Sequence, residues 1–255
     1  MTGVTALVLA GSRPEGDSFA AGFGARIKAL IPVAGEPMVL RPVRALLASP
    51  RVSDVAVLAQ ELAMLADVLP EHPNLSVRRS LGTIADTLSA ICGDPATRWP
   101  VLVTTADHAL LTPAMIGEFV DGAQGADIAV GFVESKGLLA RFPDAQRTWL
   151  AFGGGRYSGA NLFLLGSPAA ERAIAQWRSV EQDRKKGLRV LAAFGPALFM
   201  GAVLKLRTVH QTAEALSRKL GASVRVVEMS DPLAAIDVDK PSDHSLVEAI
   251  LQGRA

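Results

Sequence analysis

Residues Val101–Pro113 read VLVTTADHALLTP, a stretch that begins like a buried strand and is then interrupted by an aspartate. The residues before Asp107 are mostly apolar or β-branched, which is typical of a strand inside a sheet. Burying an unpaired carboxylate costs several kcal/mol, so we predict that Asp107 ends this strand. In an open α/β sheet, ligands bind at the carboxyl ends of the strands, where Asp107 can hold a cation or a hydroxyl group. A helix-capping role is the weaker interpretation, because Thr112 and Pro113 supply the start of the next helix.

Short strand-like runs alternate with longer helical patterns on both sides of this stretch. Val4–Ala10 and Val52–Ala59 have strand composition, for example, whereas Pro37–Ser49 has helical periodicity. Strands separated by helices of this length indicate βαβ units with right-handed crossovers. We therefore predict a Rossmann-like α/β fold, a single-domain, doubly wound and mostly parallel sheet over residues 1–255. Late helical patterns predict a helical insertion at about residues 168–222.

The composition excludes several classes of protein. The 255 residues carry a formal net charge of +1, unlike a strongly basic nucleic-acid-binding domain, and we predict no nucleic-acid partner. Cys92 is the only cysteine, so an internal disulfide is excluded and a reducing, cytoplasmic location is predicted. The N-terminal run MTGVTALVLAG has no preceding Lys or Arg and leads into a glycine loop, which indicates a first strand rather than a signal peptide.

The segment after this first strand, Leu9–Met38, is rich in glycine and contains scattered basic residues. Glycine lets the backbone approach a phosphate closely with its N–H groups pointing inward, while Arg and Lys offset the charge. The segment has neither the Gly-Lys-Ser/Thr of a P-loop nor a compact G-x-G-x-x-G, so a dinucleotide site is weakly supported. It is either a phosphate-binding loop of another kind or a mobile surface loop.

Two motifs in this segment resemble those that open a known family. LVLAGSR at Leu7–Arg13 and KALIPVAGEPMVLRPVRALL at Lys28–Leu47 are similar to motifs of the molybdenum cofactor guanylyl- and cytidylyltransferases, sugar-phosphate nucleotidyltransferases and methylerythritol-phosphate cytidylyltransferase. The resemblance implies a GT-A-type nucleotidyltransferase fold whose first loop wraps the triphosphate of an NTP. The loop residues so implied are Ala10, Gly11, Ser12 and Arg13, with Lys28 touching phosphate oxygens and with Arg13 and Lys28 acting in catalysis.

The first motif departs from the family pattern in two ways. Ser12 stands where the family has a second glycine, and the loop before Lys28 is longer. It is therefore open which group Arg13 contacts, and Arg26 is an alternative candidate for the same role.

The resemblance continues further along the chain. RSLGTIADTLSAI at Arg79–Ile91 is similar to the segment that reads the base in cytidylyltransferases. It implies nucleotide contacts from Gly82, Thr83 and Thr87, and it favours CTP. The alternative is that Thr83 and Asp86 are ordinary helix-capping residues, and both roles can coexist.

Two later segments are similar to those that bring carboxylates to magnesium in this family. They are TTADHALLTP at Thr104–Pro113 and AIDVDKPSDHSLVEAIL at Ala235–Leu251. The resemblance implies Asp107 as one ligand of Mg²⁺, with Asp237 as the first choice and Asp239 as the second choice for the other. Magnesium prefers hard oxygen ligands, often one or two carboxylates with phosphate and water, which explains why a strand stops on Asp107.

Two neighbouring side chains have plainer interpretations. Asp243 is placed where an acidic residue stabilises the first turn of the last helix. His108 is a candidate general base if the acceptor is an alcohol, although a lone His is more often a structural residue. A phosphate acceptor is already a nucleophile and requires no base.

The acceptor site is implied by GGGRYSGANLFLL at Gly153–Leu165, which is similar to the segment that lines the acceptor pocket in the family. The candidates are Tyr157, Ser158 and Asn161. The alternative for Asn161 is a turn residue with left-handed geometry.

A basic run and an apolar run come late in the chain. Arg184, Lys185 and Lys186 either bind an anionic acceptor or form a solvated face. LAAFGPALFMGAVL at Leu191–Leu204 is too short to span a bilayer, and a buried helix is its ordinary interpretation. Its basic flanks also fit peripheral contact with an anionic membrane, in which case the acceptor is a lipid head group or lipid precursor.

These patterns predict a Mg²⁺-dependent nucleotidyltransferase. It would move an NMP group from an NTP, CTP first, to a small phosphorylated or hydroxylated acceptor and release pyrophosphate. A glycosyltransferase that uses a nucleotide sugar and a non-catalytic nucleotide-binding regulatory protein are the alternatives. The acceptor and the oligomeric state are not determined by the sequence.

Overall fold

The computed structural model describes residues 3–11, 17–178 and 206–254. These residues fall into two compact units, each built from separate parts of the chain. The first unit comprises Met1–Leu81, Val101–Glu118 and Ile236–Ala255, and the second comprises Gly82–Pro100 and Phe119–Ala235.

Strands and helices alternate along much of the chain as predicted, apart from two pairs of consecutive strands. In chain order the described strands are β1 (Val4–Leu9), β2 (Pro32–Val33), β3 (Glu36–Pro37), β4 (Val52–Ala59), β5 (Leu75–Arg79), β6 (Val101–Thr105), β7 (Ile128–Glu134), β8 (Leu150–Phe152), β9 (Gly155–Leu165) and β10 (Val224–Glu228). The described helices are α1 (Ser18–Ala21), α2 (Leu40–Leu47), α3 (Leu62–Ala66), α4 (Ile84–Gly93), α5 (Pro113–Gly122), α6 (Ser135–Arg141), α7 (Glu171–Arg178), α8 (Val209–Leu220) and α9 (Pro241–Leu251). Short 3₁₀ turns occupy Lys28–Leu30, Pro168–Ala170 and Pro232–Ala235.

In the first unit, β1 lies between β6 and β4, and β5 flanks β4, with every one of these pairs parallel. The register aligns Leu9 with Leu58 on one side and with Thr105 on the other. The carboxyl ends of β1, β4 and β6 therefore meet at one edge of the sheet. The backbone bond from the Ala106 N–H to the Leu9 carbonyl oxygen, at 3.0 Å, continues the pairing just past this edge. Asp107 follows immediately.

The core of this unit comes from the apolar runs that predicted the strands. Ala6 and Val8 of β1 and Leu102 of β6 are completely buried. Helix α2 packs on β1 and β4 with Val43 and Leu46 fully buried, while its Arg44 side chain faces solvent. Each large side chain buried in this way stabilises the fold by roughly 1.5–3 kcal/mol.

In the second unit, β7 pairs in parallel with β10 and antiparallel with β9, and β9 pairs antiparallel with β8. The β7–β9 register shifts between Val130 and Phe132. Asn161 of β9 adopts a left-handed backbone conformation with φ of 48°. Helices α4 and α7 pack together, and Ser89 Oγ donates to Glu171 Oε1 at 2.6 Å between them.

The predicted α/β class with a mostly parallel sheet is confirmed. The antiparallel strand β9 is a departure from the doubly wound pattern, and only its pairing partners reveal it. Of the predicted helical insertion, α7 and α8 are helical, whereas residues 179–205 lie outside the described residues. The single domain therefore stays a prediction. Within the described part of the chain, every helix is too short or too polar to cross a membrane.

Candidate active site

The loop after β1 is described only at its two ends. Ala10 is buried and its N–H donates to the Leu58 carbonyl oxygen at 2.9 Å. A Cβ added at Gly11 would lie 3.3 Å from Nε2 of the Gln60 side chain. Ser12 and Arg13, both predicted to bind the triphosphate, lie outside the described residues. Arg26, the rival of Arg13, is exposed.

Lys28 is held in place by the buried residues on either side of it. Ile27 and Ala29 are buried, and the Ala29 carbonyl oxygen accepts from the Val39 N–H at 3.0 Å. Ile31 is completely buried, and its carbonyl oxygen accepts from the Met38 N–H at 2.9 Å. The 3₁₀ turn that carries Lys28 is therefore anchored in the core, while its side chain is free to reach the edge of the sheet.

The Lys28 ammonium joins two of the three aspartates predicted to bind metal. Lys28 Nζ donates to Asp107 Oδ2 in a short hydrogen bond and to Asp239 Oδ1 at 2.5 Å. The Lys28 and Asp107 side chains are only 20% and 16% exposed, whereas the Asp239 side chain is 66% exposed. The three residues form one charged cluster inside the first unit, which we call the Lys28 triad.

Asp107 is fixed by contacts on two sides. Thr105 Oγ1 donates to Asp107 Oδ1, and the Val238 N–H donates to the Asp107 backbone oxygen at 3.1 Å. The second bond brings the segment before α9 alongside Asp107. Thr105 had not been predicted as a site residue. Its position at the end of β6, two residues before Asp107, could have indicated that the two side chains interact.

The segment before α9 carries both candidates for the second carboxylate. Asp239 N–H donates to Asp243 Oδ2 at 3.2 Å, and Asp243 is buried in the first turn of α9. The contact of Lys28 is with Asp239, which was the second choice. Asp237 is half-buried two residues earlier, and its role in metal binding stays a prediction.

The electrostatics keep Lys28 charged. Burial by itself lowers the pKa of Lys28, but the carboxylates of Asp107 and Asp239 outweigh it and hold the pKa above its ordinary value. The Lys28 triad thus combines one ammonium group with two carboxyl groups.

The donor set of the Lys28 triad fits magnesium. Its carboxylate oxygens are hard ligands, and a single cation already lies against both of them. In the ranges 3–11, 17–178 and 206–254, no three His, Cys, Asp or Glu side chains are arranged to hold a metal ion. Two carboxylates completed by phosphate and water are the usual arrangement for Mg²⁺, so a pair is sufficient.

His108 is completely buried, and its Nδ1 lies 3.3 Å from Thr104 Oγ1. This burial supports the structural interpretation over the general-base one, because a base must reach the substrate proton.

The segment predicted to read the base begins helix α4 in the second unit. Thr83 Oγ1 accepts from the Asp86 N–H at 3.1 Å, and Asp86 Oδ2 accepts from the Thr83 N–H at 3.0 Å. This reciprocal pair is a capping box, which was the alternative interpretation. The hydrogen bonds from Thr83 hold the pKa of Asp86 below its ordinary value. Thr87 is buried and its Oγ1 donates to the Thr83 carbonyl oxygen at 3.0 Å, so the contacts predicted with a nucleotide stay predictions.

Gly82 and Arg178 add two constraints around this cap. Gly82 has φ of 35°, and a Cβ there would lie 2.6 Å from Asp86 Oδ2, so glycine is required on both counts. Arg178, at the end of α7, pairs with Asp86 Oδ1 at 2.5 Å. The sequence contained no signal for this ion pair, because the two residues lie on different helices.

The residues predicted to bind the acceptor lie on β9 of the second unit. Tyr157 and Ser158 are buried, and Tyr157 packs with Phe152 and Val209. Burial, followed by the carboxylates of Glu228 and Glu134, raises the pKa of Tyr157. Asn161 has the left-handed geometry of its alternative interpretation, but inside a strand rather than a turn.

Part of the predicted acceptor site is not described. Arg184, Lys185, Lys186 and the apolar run Leu191–Leu204 all lie outside the described residues. Their roles in acceptor or membrane binding stay predictions.

Helix α9 also holds the segment that carries Lys28. His244 Nε2 donates to the Pro32 carbonyl oxygen at 2.7 Å, and Glu248 Oε1 accepts from the Ala34 N–H at 2.7 Å. The Phe23 ring lies 4.4 Å from the His244 ring, measured between centroids. We call these contacts of His244 and Glu248 the α9 clamp. It had not been predicted, because the partners are more than two hundred residues apart in sequence.

Comparisons with known proteins agree with this architecture. The sequence profile of the MobA-like NTP transferase domain matches residues 6–225. The chain is 28% identical over 257 aligned positions to the bifunctional protein GlmU of Rhodospirillum rubrum, an alignment that covers 92% of this chain and 52% of that protein. The chain thus spans about half the length of this curated relative.

Two solved structures are similar over nearly the whole chain. A hypothetical transferase from Thermus thermophilus has a TM-score of 0.76 at 26% identity, covering 95% of this chain and 100% of that one. The 4-diphosphocytidyl-2C-methyl-D-erythritol synthase of Anaerococcus prevotii has a TM-score of 0.59 at 10% identity, covering 98% of this chain and 96% of that one. At this identity the likeness is one of fold alone. Because the profile match spans most of the sequence, the chain belongs to the MobA-like NTP transferase domain family, whose members are nucleotidyltransferases.

Proposed function

We propose that this protein transfers an NMP group from an NTP to a small phosphorylated or hydroxylated acceptor, with Mg²⁺ as cofactor and pyrophosphate as product. The observation that carries the proposal is the Lys28 triad. It puts a charged lysine and two carboxylates beside the carboxyl ends of parallel strands, in a chain of the NTP transferase family. Strand ends of this kind are where ligands bind in α/β sheets.

Each residue of the triad has a distinct part in the proposal. Asp107 and Asp239, with Asp237 as a further candidate, would hold the metal, which polarises the α-phosphate when it is bound. Lys28 places a positive charge where the leaving pyrophosphate gathers negative charge, and Arg13 is expected to do the same from the preceding loop. Gly11 keeps the backbone at the end of β1 open to close approach by a phosphate.

The acceptor determines whether a base is needed. A phosphate acceptor can attack the α-phosphate without first losing a proton to a base. Positioning and charge neutralisation are then sufficient for catalysis. The burial of His108 favours this kind of acceptor over an alcohol that requires deprotonation. Tyr157, Ser158, Asn161, Lys185 and Lys186 remain the candidates for contacts with it.

The preference for CTP rests on the residues around Gly82, Thr83 and Thr87, which resemble the base-reading segment of cytidylyltransferases. The Thr83 capping box is compatible with this role, because it occupies side-chain atoms of Thr83 and Asp86 while a base can be read by backbone groups. A cytoplasmic location and the absence of a nucleic-acid partner are part of the same proposal.

The direct test is pyrophosphate exchange. The protein is incubated with each of the four NTPs, Mg²⁺ and labelled pyrophosphate, with pools of phosphate and alcohol acceptors, and label entering the NTP is counted. The proposal expects exchange that depends on Mg²⁺ and is fastest with CTP. Binding of NTP with no exchange under any condition identifies a regulatory protein. Hydrolysis of nucleotide sugars without exchange identifies a glycosyltransferase.

A further inference from the structure

Lys28 lies against the same carboxylates that a divalent cation would need. Its Nζ contacts Asp107 Oδ2 and Asp239 Oδ1, and its side chain is one-fifth exposed. We propose that Lys28 is a built-in competitor of the metal: it neutralises the two carboxylates in the metal-free protein and gives them up when the divalent cation arrives. This inference rests on the proposed function, because it takes Asp107 and Asp239 as metal ligands.

The first argument is the position of the ammonium. Asp107 Oδ2 is occupied by the ammonium and Oδ1 accepts from Thr105 Oγ1, so both oxygens of this carboxylate already have a partner. Asp239 Oδ1 is occupied by the same ammonium. The same ammonium lies against both carboxylates, so a metal ion that binds both at once needs the place that Lys28 Nζ now occupies.

The second argument is charge. An ammonium left in place would lie within a few ångströms of a divalent ion, and like charges at that separation repel strongly in a site with reduced solvent. The pair with Asp239 is solvent-exposed on the carboxylate side, and exposed ion pairs are weak enough to be exchanged. A metal ion can therefore displace the Lys28 ammonium, and the need to displace it lowers the affinity of the site for the metal.

The third argument is the chemistry of lysine itself. A lysine ammonium is a compact charge with three donors on a flexible four-carbon stem, so it can turn to a new acceptor without moving the backbone. The backbone of Lys28 is fixed by its buried neighbours Ile27 and Ala29. When a metal and a triphosphate arrive together, the released ammonium can bond a phosphate oxygen. The competition thus couples metal entry to the positioning of Lys28 on the nucleotide.

The alternative is that Lys28 is only a structural tie between Asp107 and Asp239. Removing a tie loosens the site and leaves metal affinity unchanged or weaker. Removing a competitor makes metal binding tighter. The two roles therefore predict opposite changes in one measurable quantity.

The test measures Mn²⁺ binding without nucleotide, at low ionic strength, by the loss of the free Mn²⁺ signal in electron paramagnetic resonance. Lys28→Met and Lys28→Gln remove the charge, and Lys28→Arg keeps it. Lys136→Met is the matched control, because Lys136 pairs with Glu134 at 3.3 Å on an exposed surface of the second unit. We expect Kd to fall by about tenfold or more in Lys28→Met and Lys28→Gln. It should stay near the wild-type value in Lys28→Arg and in the control.

Thermal melting with and without Mn²⁺ is the second measurement. A ligand that binds the folded state raises the melting temperature according to its Kd, so Mn²⁺ should stabilise Lys28→Gln more than the wild type. An unchanged or weaker Kd in both neutral variants, with Mn²⁺ bound by the wild type, overturns the competition and leaves the proposed metal site intact. No Mn²⁺ binding to any of the proteins overturns both the competition and the metal site.

Discussion

At the scale of single residues, Asp107 is held by a donor on each carboxylate oxygen. Thr105 Oγ1 supplies one, and the Lys28 ammonium supplies the other. These contacts keep a carboxylate at the end of an otherwise apolar strand.

We predict that Asp107→Asn lowers the rate of pyrophosphate exchange by at least about a hundredfold while the protein still folds, because the change keeps the shape and removes a metal-binding charge. The rates are measured at saturating and at low Mg²⁺, with circular dichroism as the check on folding. Asp67→Asn, the same substitution at an exposed position after α3, is the control and should be near normal. A nearly normal rate in Asp107→Asn at low Mg²⁺ would contradict the metal assignment.

A second prediction at this scale concerns the Cys92 thiol. Burial, followed by the negative charge and hydrogen bonding of Glu171, raises the pKa of Cys92 from 9.0 to about 11. Since only the thiolate reacts, alkylation by iodoacetamide at pH 8 should be about a hundredfold slower in the folded protein than in urea. Raising the pH from 8 to 10 should speed it about tenfold per unit, because the thiolate fraction grows tenfold per unit below the pKa.

Glu171→Gln removes the charge beside Cys92 and should make alkylation faster. Glu214→Gln, on the exposed face of α8, is the matched control and should not. A folded-state rate equal to that in urea would show that neither burial nor Glu171 protects the thiol.

At the scale of elements, helix α9 has two tasks. The segment leading into it supplies Asp239 to the Lys28 triad, and its first two turns supply the α9 clamp. The clamp contacts the chain on both sides of Lys28, before it at the Phe23 ring and after it at the backbone of Pro32 and of Ala34, which lies in the turn between β2 and β3. In that turn Ala34 has φ of 51°, a strained conformation for a residue with a Cβ, and the Glu248 hydrogen bond helps to maintain it. This part of the chain therefore contacts the segment around Lys28 and also supplies one of its carboxylate partners.

We predict that His244→Ala lowers kcat/KM for NTP by about tenfold, because losing the Pro32 hydrogen bond and the Phe23 contact lets Lys28 move from its place. The loss should appear mainly in KM, since the catalytic groups themselves are kept. Steady-state kinetics with increasing NTP separate the two constants. His72→Ala is the matched control at an exposed histidine of the same unit.

His244→Gln retains a donor for the Pro32 carbonyl oxygen and should recover part of the loss. A purely structural role would lower the melting temperature without changing KM. An unchanged kcat/KM in His244→Ala would mean that the α9 clamp does not position Lys28.

At the scale of the whole molecule, the proposal that the protein can rest on a membrane comes from sequence outside the described residues. Lys185, Lys186 and Arg189 precede the apolar run Leu191–Leu204, and Lys205 and Arg207 follow it. Basic residues beside an apolar segment attract anionic lipid within the Debye length, so this attraction weakens as salt is added.

We predict that the protein co-sediments with vesicles containing anionic lipid at low salt and less so at high salt. The double variant Lys185→Glu with Lys186→Glu should bind less. Arg218→Glu with Lys219→Glu, at the exposed end of α8, applies the same reversal of charge elsewhere and should bind normally. No binding at low salt would mean that Leu191–Leu204 has no membrane role and that the acceptor is a soluble molecule.

Some features of this protein are readable from sequence because they depend on residues close together in the chain. Alternation of apolar strands with helical periodicity predicted the α/β class, and the aspartate after Thr105 predicted a charged strand end. The same holds for the capping box, where Thr83 and Asp86 are three residues apart. The family is likewise visible in short motifs, which the profile match over residues 6–225 confirms.

The antiparallel pairing of β9 required the tertiary structure, because a strand has the same composition whichever direction its neighbour runs. Asp237 and Asp239 were both candidates for the second metal-binding carboxylate, and finding which of them contacts Lys28 also required the tertiary structure. Residues two apart in an extended segment face the same side, so spacing could not separate them. The structure shows the Lys28 contact at Asp239, and which of the two binds the metal stays a prediction.

The sequence by itself thus determined the class of fold, the strand end at Asp107 and the family, since each depends on local patterns. Only the tertiary structure decided that Lys28 bonds carboxylates 79 and 211 residues away and that α9 contacts the chain on both sides of it, at the Phe23 ring and at the Pro32 carbonyl oxygen. The physical reason is that these contacts arise where the parallel strands end together, and their energy depends on distances that no local pattern encodes.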